Sequence, residues 1–364
     1  MEEQKDLGKY MEKEIYEIPL CLKRILEKKL VITNIAQELI TRKTEHIYLV
    51  GAGSSYHAGF AMSYMFNRIT NIPTFAEFSM EFQFLIKPIL KKNDCVIAIS
   101  QSGKTKDTID SVKISKDFNA LTIGITNDTD SKLAKLCDFV CDLQCEEEKS
   151  VLATKTYVAE LTVLATLALE IAKLKKSITS EEYNETWVEL IRIPDRINSV
   201  LPNLHNVIKM YSQYFKSANF SFILGSGPDY ATAMEAALKL KEGARMFGQA
   251  YSTAEFPHGP LTLADSKTLI IAIIPQEEDE RREFLLKLLK QIKERKATIL
   301  GIYESSNVSN MPLPIDFGVQ VPSTIKALQP LIMIVVIQLL SLEIARTNKL
   351  NPDEPKYLTK VSNL

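Results

Sequence analysis

His46-Ile-Tyr-Leu-Val50 runs straight into Gly51-Ala-Gly53-Ser-Ser55, and far downstream Phe220-Ser-Phe-Ile-Leu224 runs into Gly225-Ser-Gly227. In each place a short apolar run of β-forming residues ends at a glycine turn where a helical pattern begins, so one strand-turn-helix unit occurs twice. Working outward, Cys95-Val-Ile-Ala-Ile-Ser100 and Thr268-Leu-Ile-Ile-Ala-Ile-Ile274 come next in their halves. Each is followed by a charged amphipathic pattern and then a third run, Leu121-Thr-Ile-Gly-Ile125 or Thr298-Ile-Leu-Gly-Ile302. Short β-rich runs alternating with helical stretches are the pattern of βαβ units, whose parallel sheet is covered on both faces. The fold class read from this is α/β: two tandem three-layer α/β/α domains, each on a parallel sheet.

The boundaries expected are residues 1–45 for an N-terminal helical segment, 46–190 for the first domain, 191–345 for the second, and 346–364 for a C-terminal tail that closes the active site. Tyr10–Lys29 reads as a helix. The helical stretch Glu181–Tyr214 connects the halves, with Pro194 and Pro202 as breakers. The tail from Asn351, carrying Pro352 and Pro355, reads as extended.

At 364 residues, 46% hydrophobic and 24% charged, the composition is that of a globular protein and excludes a disordered or collagen-like chain. Lysine and arginine number 44 against 45 acidic residues, and a net charge of -1 argues against a nucleic-acid or membrane-surface partner. The start, MEEQKDLGKYMEKEIYE, has no apolar core of a secretion signal, so the expected location is the cytoplasm. Glu160 and Glu170 interrupt Tyr157–Ala172, and Gln338, Ser341 and Glu343 interrupt Pro330–Ala345; both stretches read as buried helices. Cys137, Cys141 and Cys145 lack the Cys-x-x-Cys spacing of metal sites, and the five cysteines read as free thiols. No metal and no cofactor are expected.

Ligands of open parallel sheets bind at the carboxyl ends of the strands, so the loops after Val50, Ile99, Leu224 and Ile274 are where chemistry belongs. Gly51-Ala-Gly53-Ser54-Ser55-Tyr56 starts like a dinucleotide fingerprint but has Tyr56 in place of the third glycine, which argues for a tight turn. Ser100-Gln101-Ser102-Gly103-Lys104-Thr105 gathers three hydroxyls, an amide and a glycine ahead of a helix. Helix-start N–H groups and the dipole make an anion site there; the plainer reading is a Ser/Thr cap. The nucleotide P-loop spacing is absent. The second half carries Pro275-Gln-Glu-Glu-Asp at the equivalent place, acidic and repellent to phosphate, so one anion site per chain is expected.

Glu235, Lys239 and Glu242 share one helix face by their spacing. Among alanines, leucines and a methionine they read as lining a cleft, where a carboxylate is a candidate general base. The plainer reading is a solvated ion pair. His258, in Glu255-Phe-Pro-His258-Gly-Pro260, sits in a loop stiffened by two prolines and suits acid/base work near neutral pH.

Ser100–Thr105, Ala153-Thr-Lys155, Met234–Glu242, Glu255–Leu261 and the tail Asn351-Pro-Asp-Glu-Pro-Lys-Tyr-Leu-Thr359-Lys360 together carry a resemblance. Over nearly its whole length the chain resembles the tandem sugar isomerase (SIS) domain proteins. This is the family of the isomerase half of glucosamine-6-phosphate synthase and of glucosamine-6-phosphate deaminases. The resemblance implies that Ser100, Gln101, Ser102 and Thr105 hold a sugar phosphate with Ser54 and Ser55, while Val151, Ala153 and Thr359 line the sugar. It implies that Glu242 shuttles a proton between C1 and C2, that His258 assists ring opening from across a homodimer interface, and that Lys360 meets the open-chain carbonyl. Lys239 and Glu235 would position oxygens or tune Glu242.

Three departures bear on the substrate. Glu2 follows Met1 where the synthase begins a glutaminase domain with a nucleophilic cysteine, so glutamine-dependent transfer by this chain alone is not expected. Lys104 stands where the family has an acid, and Ala153 where it has a serine. The function expected is amino-sugar phosphate isomerase/deaminase. Alternatives are the isomerase subunit of an aminotransferase, another ketose/aldose isomerase, a fructosamine-phosphate deglycase, or a sugar-phosphate-sensing module.

Overall fold

A computed structural model of the chain describes residues 7–216, 218, 220–275, 280–304 and 313–360. They form two compact units. The described residues of Glu17–Glu148, Ala153–Pro194 and Thr359–Leu364 make the first-sheet unit, and those of Met1–Tyr16, Lys149–Leu152 and Asp195–Leu358 the second-sheet unit.

The chain begins with helices Lys9–Glu27 (α1) and Lys29–Thr41 (α2). Then follow Ile47–Gly51 (β1), Ser54–Ile69 (α3), Thr74–Phe78 (β2), Phe82–Leu85 (α4), Cys95–Ile99 (β3), Lys106–Asp117 (α5), Leu121–Thr126 (β4), Lys132–Leu136 (α6), Phe139–Asp142 (β5) and Lys155–Lys175 (α7). The five strands are all parallel, in the order β2-β1-β3-β4-β5. Every residue of β1, β3 and β4 is buried, as a strand sandwiched between helix layers requires.

The second half repeats this plan. Ser180–Ser212 (α8) leads to Phe220–Gly225 (β6), Pro228–Glu242 (α9), Phe247–Ser252 (β7), Thr268–Ile273 (β8), Glu280–Glu294 (α10), Thr298–Glu304 (β9), Phe317–Val321 (β10) and Gln329–Thr347 (α11). Its parallel sheet has the order β10-β9-β8-β6-β7, the first order with each strand replaced by its counterpart. The duplication read from the glycine turns is therefore complete, edge strands included.

Both long apolar stretches are core helices. Tyr157–Ala172 is wholly buried in α7. Among the described residues, Lys326–Thr347 is long and apolar enough to cross a membrane, and 94% of its most apolar window is buried inside the protein. The expected breaks at Pro194 and Pro202 do not occur, since α8 runs through both. Leu190, Ile193, Ile197, Leu201, Leu204 and Ile208 lie buried along one face, and that packing outweighs the backbone bonds the prolines forgo. Residues 351–360 form turns and irregular chain, with no strand.

Candidate active site

In the first-sheet unit the strand order reverses between β1 and β3, which puts the loops after these two strands side by side at the carboxyl edge. The β3 loop is tightly held. Gly103 N–H donates to Ser100 O at 3.0 Å, Asn127 N–H to Gln101 O at 2.9 Å, and Leu133 N–H to Gly103 O at 3.1 Å. Gly103 has φ +61°, and a Cβ there would lie 2.1 Å from Ser131 Oγ, so glycine alone fits.

The hydroxyls of Ser100 and Thr105 bond each other at 3.0 Å, and Ser102 Oγ accepts from Lys104 N–H at 3.2 Å. Thr105 sits at the start of α5 and its side chain caps none of the helix N–H groups. The side chain of Thr105 therefore does not supply the cap that the plainer reading called for. Ser102 and Gln101 are half-buried at the rim, and Lys104 is exposed with Nζ 3.9 Å from Asp128.

The β1 loop turns at Gly53, with φ +54°, into α3. Ser54 is half-buried, while Ser55 turns inward and donates to Glu160 on α7 at 2.8 Å. Ala153 is half-buried just ahead of α7 and Thr359 is exposed. Lys360 Nζ meets Glu148 Oε2 at 2.5 Å, a carboxylate with no exposed side-chain surface. Burial drives the Glu148 pKa up, but the charge and hydrogen bond of Lys360, with Thr154 and Thr156, outweigh it and hold the group below the usual range. Sequence reading passed over Glu148 because Glu146-Glu147-Glu148 looks like solvated charge.

In the second-sheet unit α9 carries the acid-base-acid trio. Lys239 Nζ lies 3.3 Å from Glu235 Oε1 and 2.6 Å from Glu242 Oε2. Glu235 and Lys239 are fully buried, whereas the Glu242 side chain keeps 22% of its surface open. Burial works against the Lys239 ammonium, but the two carboxylates prevail and push its pKa up. Glu242 thus keeps part of its side chain open while its Oε2, buried, faces the lysine.

His258 is exposed, its N–H donating to Glu255 O at 3.1 Å in a turn anchored by the fully buried Phe256. Val151 is half-buried and donates from N–H to Asp353 O at 3.0 Å. Residues 276–279, most of the acidic segment expected to repel phosphate, lie outside the described residues. Asp229 was another omission: Pro228-Asp229 reads as an ordinary helix start, yet the carboxyl is buried and Oδ1 has no hydrogen-bond partner.

Fold and loop together define a tandem α/β protein with a hydroxyl-rich turn at the switch point of its first sheet. The model of the SIS domain matches residues 39–170 and 214–347, and the chain belongs to that family. It is similar to a glutamine--fructose-6-phosphate aminotransferase [isomerizing] of Caldanaerobacter subterraneus subsp. tengcongensis, 33% identical over 96% of this chain and 58% of that protein. It thus spans little more than half the length of that curated relative. The solved C-terminal domain of glucosamine-fructose-6-phosphate aminotransferase from Francisella tularensis superposes with a TM-score of 0.87 at 29% identity, covering 93% of this chain and 96% of that one. A glucosamine-6-phosphate deaminase from Thermotoga maritima shares the fold, with a TM-score of 0.75, 24% identity, and coverage of 97% and 99%.

Proposed function

We propose that the chain is an amino-sugar phosphate isomerase/deaminase, converting glucosamine 6-phosphate and water to fructose 6-phosphate and ammonia. The observation that carries this reading is the Ser100–Thr105 loop, whose threonine leaves the start of α5 uncapped for an anion. Ser100, Gln101, Ser102 and Thr105 grip the phosphate with Ser54 from the neighbouring turn, while Ser55, its hydroxyl given to Glu160, holds that turn in place. Val151, Ala153 and Thr359 line the sugar. Orientation of a phosphorylated substrate by fixed donors lowers the barrier by removing freedom ahead of the chemical step.

In this reading Glu242 takes the C2 proton of the open-chain imine or aldehyde and returns it at C1 through an enolamine. Hydrolysis of the resulting C2 imine frees ammonia. Lys239 and Glu235 fix the carboxylate, Lys360 meets the carbonyl, and His258, exposed on its anchored turn, assists ring opening in a homodimer with shared sites. The same chemistry run in reverse with supplied ammonia is the work of an isomerase subunit. That second reading is favoured by the names of the longer relatives.

The test incubates the pure protein with glucosamine 6-phosphate and, separately, with fructose 6-phosphate plus ammonium, following ammonia and both sugars. Release of ammonia supports the deaminase, net uptake the synthetic subunit. Turnover only of neutral or glycated sugar phosphates would reject both, and tight binding without turnover would favour a sensor.

A further inference from the structure

We propose that Glu148 is a positioning residue that holds the Lys360 amine in its working pose; the inference rests on the role given to Lys360 above. The two residues are 212 positions apart in sequence, yet Lys360 Nζ reaches Glu148 Oε2 at 2.5 Å. The carboxylate is fixed independently of the lysine. Thr154 N–H donates to Oε1 at 2.9 Å and Thr156 N–H to Oε1 at 3.2 Å, while the Thr156 hydroxyl donates to Oε2 at 2.7 Å.

These donors come from the start of α7, so the acid is locked to a long buried helix and cannot follow a mobile partner. The neighbouring cation does not compete, because Lys155 Nζ is engaged by Glu17 at 2.7 Å and by Glu147 O at 2.9 Å. A fully buried carboxylate costs folding free energy unless paired, and the side-chain cation in contact with it is Lys360. Capping α7 alone needs an acceptor and no charge, which the Oε1 contacts already supply. The ionic half of Glu148 is therefore spent on the lysine.

Glu148→Gln separates the two jobs, since its amide oxygen still accepts from the Thr154 and Thr156 N–H groups while its NH2 cannot accept from Lys360 and instead donates to the Thr156 hydroxyl. In the purified protein, reductive methylation with formaldehyde and cyanoborohydride, read by peptide mass spectrometry, is expected to modify Lys360 at least ~10-fold faster in the variant. The exposed Lys104 and Lys106 serve as unchanged references. Turnover of glucosamine 6-phosphate should lose ~100-fold in kcat with KM within about threefold. No further loss is expected when the change is made in Lys360→Met, since the two act as one unit. Glu148→Asp, which keeps the charge and shortens the reach, should label at an intermediate rate and replaces the glutamine variant if that one does not fold.

Equal labelling of Lys360 in parent and variant overturns the proposal, as does a kcat loss that persists undiminished in Lys360→Met. Absence of turnover in the parent protein would strike the proposed function instead, and the labelling comparison would still decide the pairing.

Discussion

Gly103 is the residue on which the Ser100–Thr105 loop turns. Adding a methyl group there meets Ser131 Oγ at 2.1 Å on a backbone with φ +61°, and strain of about 1–2 kcal/mol must be relieved by moving the loop. Gly103→Ala is expected to weaken glucosamine 6-phosphate binding by ~10-fold, measured by calorimetry, and to lower the melting temperature by a few degrees. Asp229 offers a pH test. Burial, helped by Glu304 and opposed by Lys326 and Arg281, pushes its pKa up to about 7. An unfolded aspartate titrates near ~3.9, so between roughly pH 4 and 7 the folded state holds a proton the unfolded chain has released, and stability falls as pH rises. Asp229→Asn should melt with the parent at pH 4 and several degrees above it at pH 8, the gain bounded by about 4 kcal/mol. Ser100 to Thr105 was legible in the sequence because the local backbone dictates that loop. The Glu148 contact with Lys360 was not, because nothing local links partners 212 positions apart.

Among the elements, α9 depends on its buried lysine. Lys239→Met takes the Lys239 charge away from the buried Glu235 and should cost ~3–5 kcal/mol in urea unfolding; adding Glu235→Leu should recover part of it. Around β5, burial first of all pushes the Cys137 and Cys141 thiols up to about 12. In the native protein at pH 8 the buried Cys141 should react with an aromatic disulfide reagent only as fast as the chain unfolds, and the partly exposed Cys137 faster than that. Strand legibility followed burial. Central β1, β3 and β8 are buried throughout and almost wholly apolar, and they declared themselves, whereas edge strands β2 and β7 carry Glu77 and Gln249 on half-exposed faces and left no clear run. The helix through Pro194 and Pro202 escaped notice for the opposite reason, since a local breaker signal was overruled by a packed face that only the tertiary structure supplies.

For the molecule as a whole, duplication explains why one chain holds two similar sheets with dissimilar edges: a hydroxyl-rich loop in the first unit, an acid-base trio with one partly exposed carboxylate in the second. Fold and family were legible because repeated strand-turn-helix units and ordered motifs span most of the sequence. The reaction was not, since the curated relative above is a longer protein and this chain covers 58% of it. The central claim is that Glu242 breaks the C2–H bond of a phosphorylated amino sugar. Glucosamine 6-phosphate deuterated at C2 tests it directly, with NMR following the label. The account predicts that the label leaves C2 with the parent protein, appearing at C1 or in water, and at least ~100-fold more slowly with Glu242→Gln. A label that stays at C2 in the parent, or leaves equally fast in the variant, would contradict it.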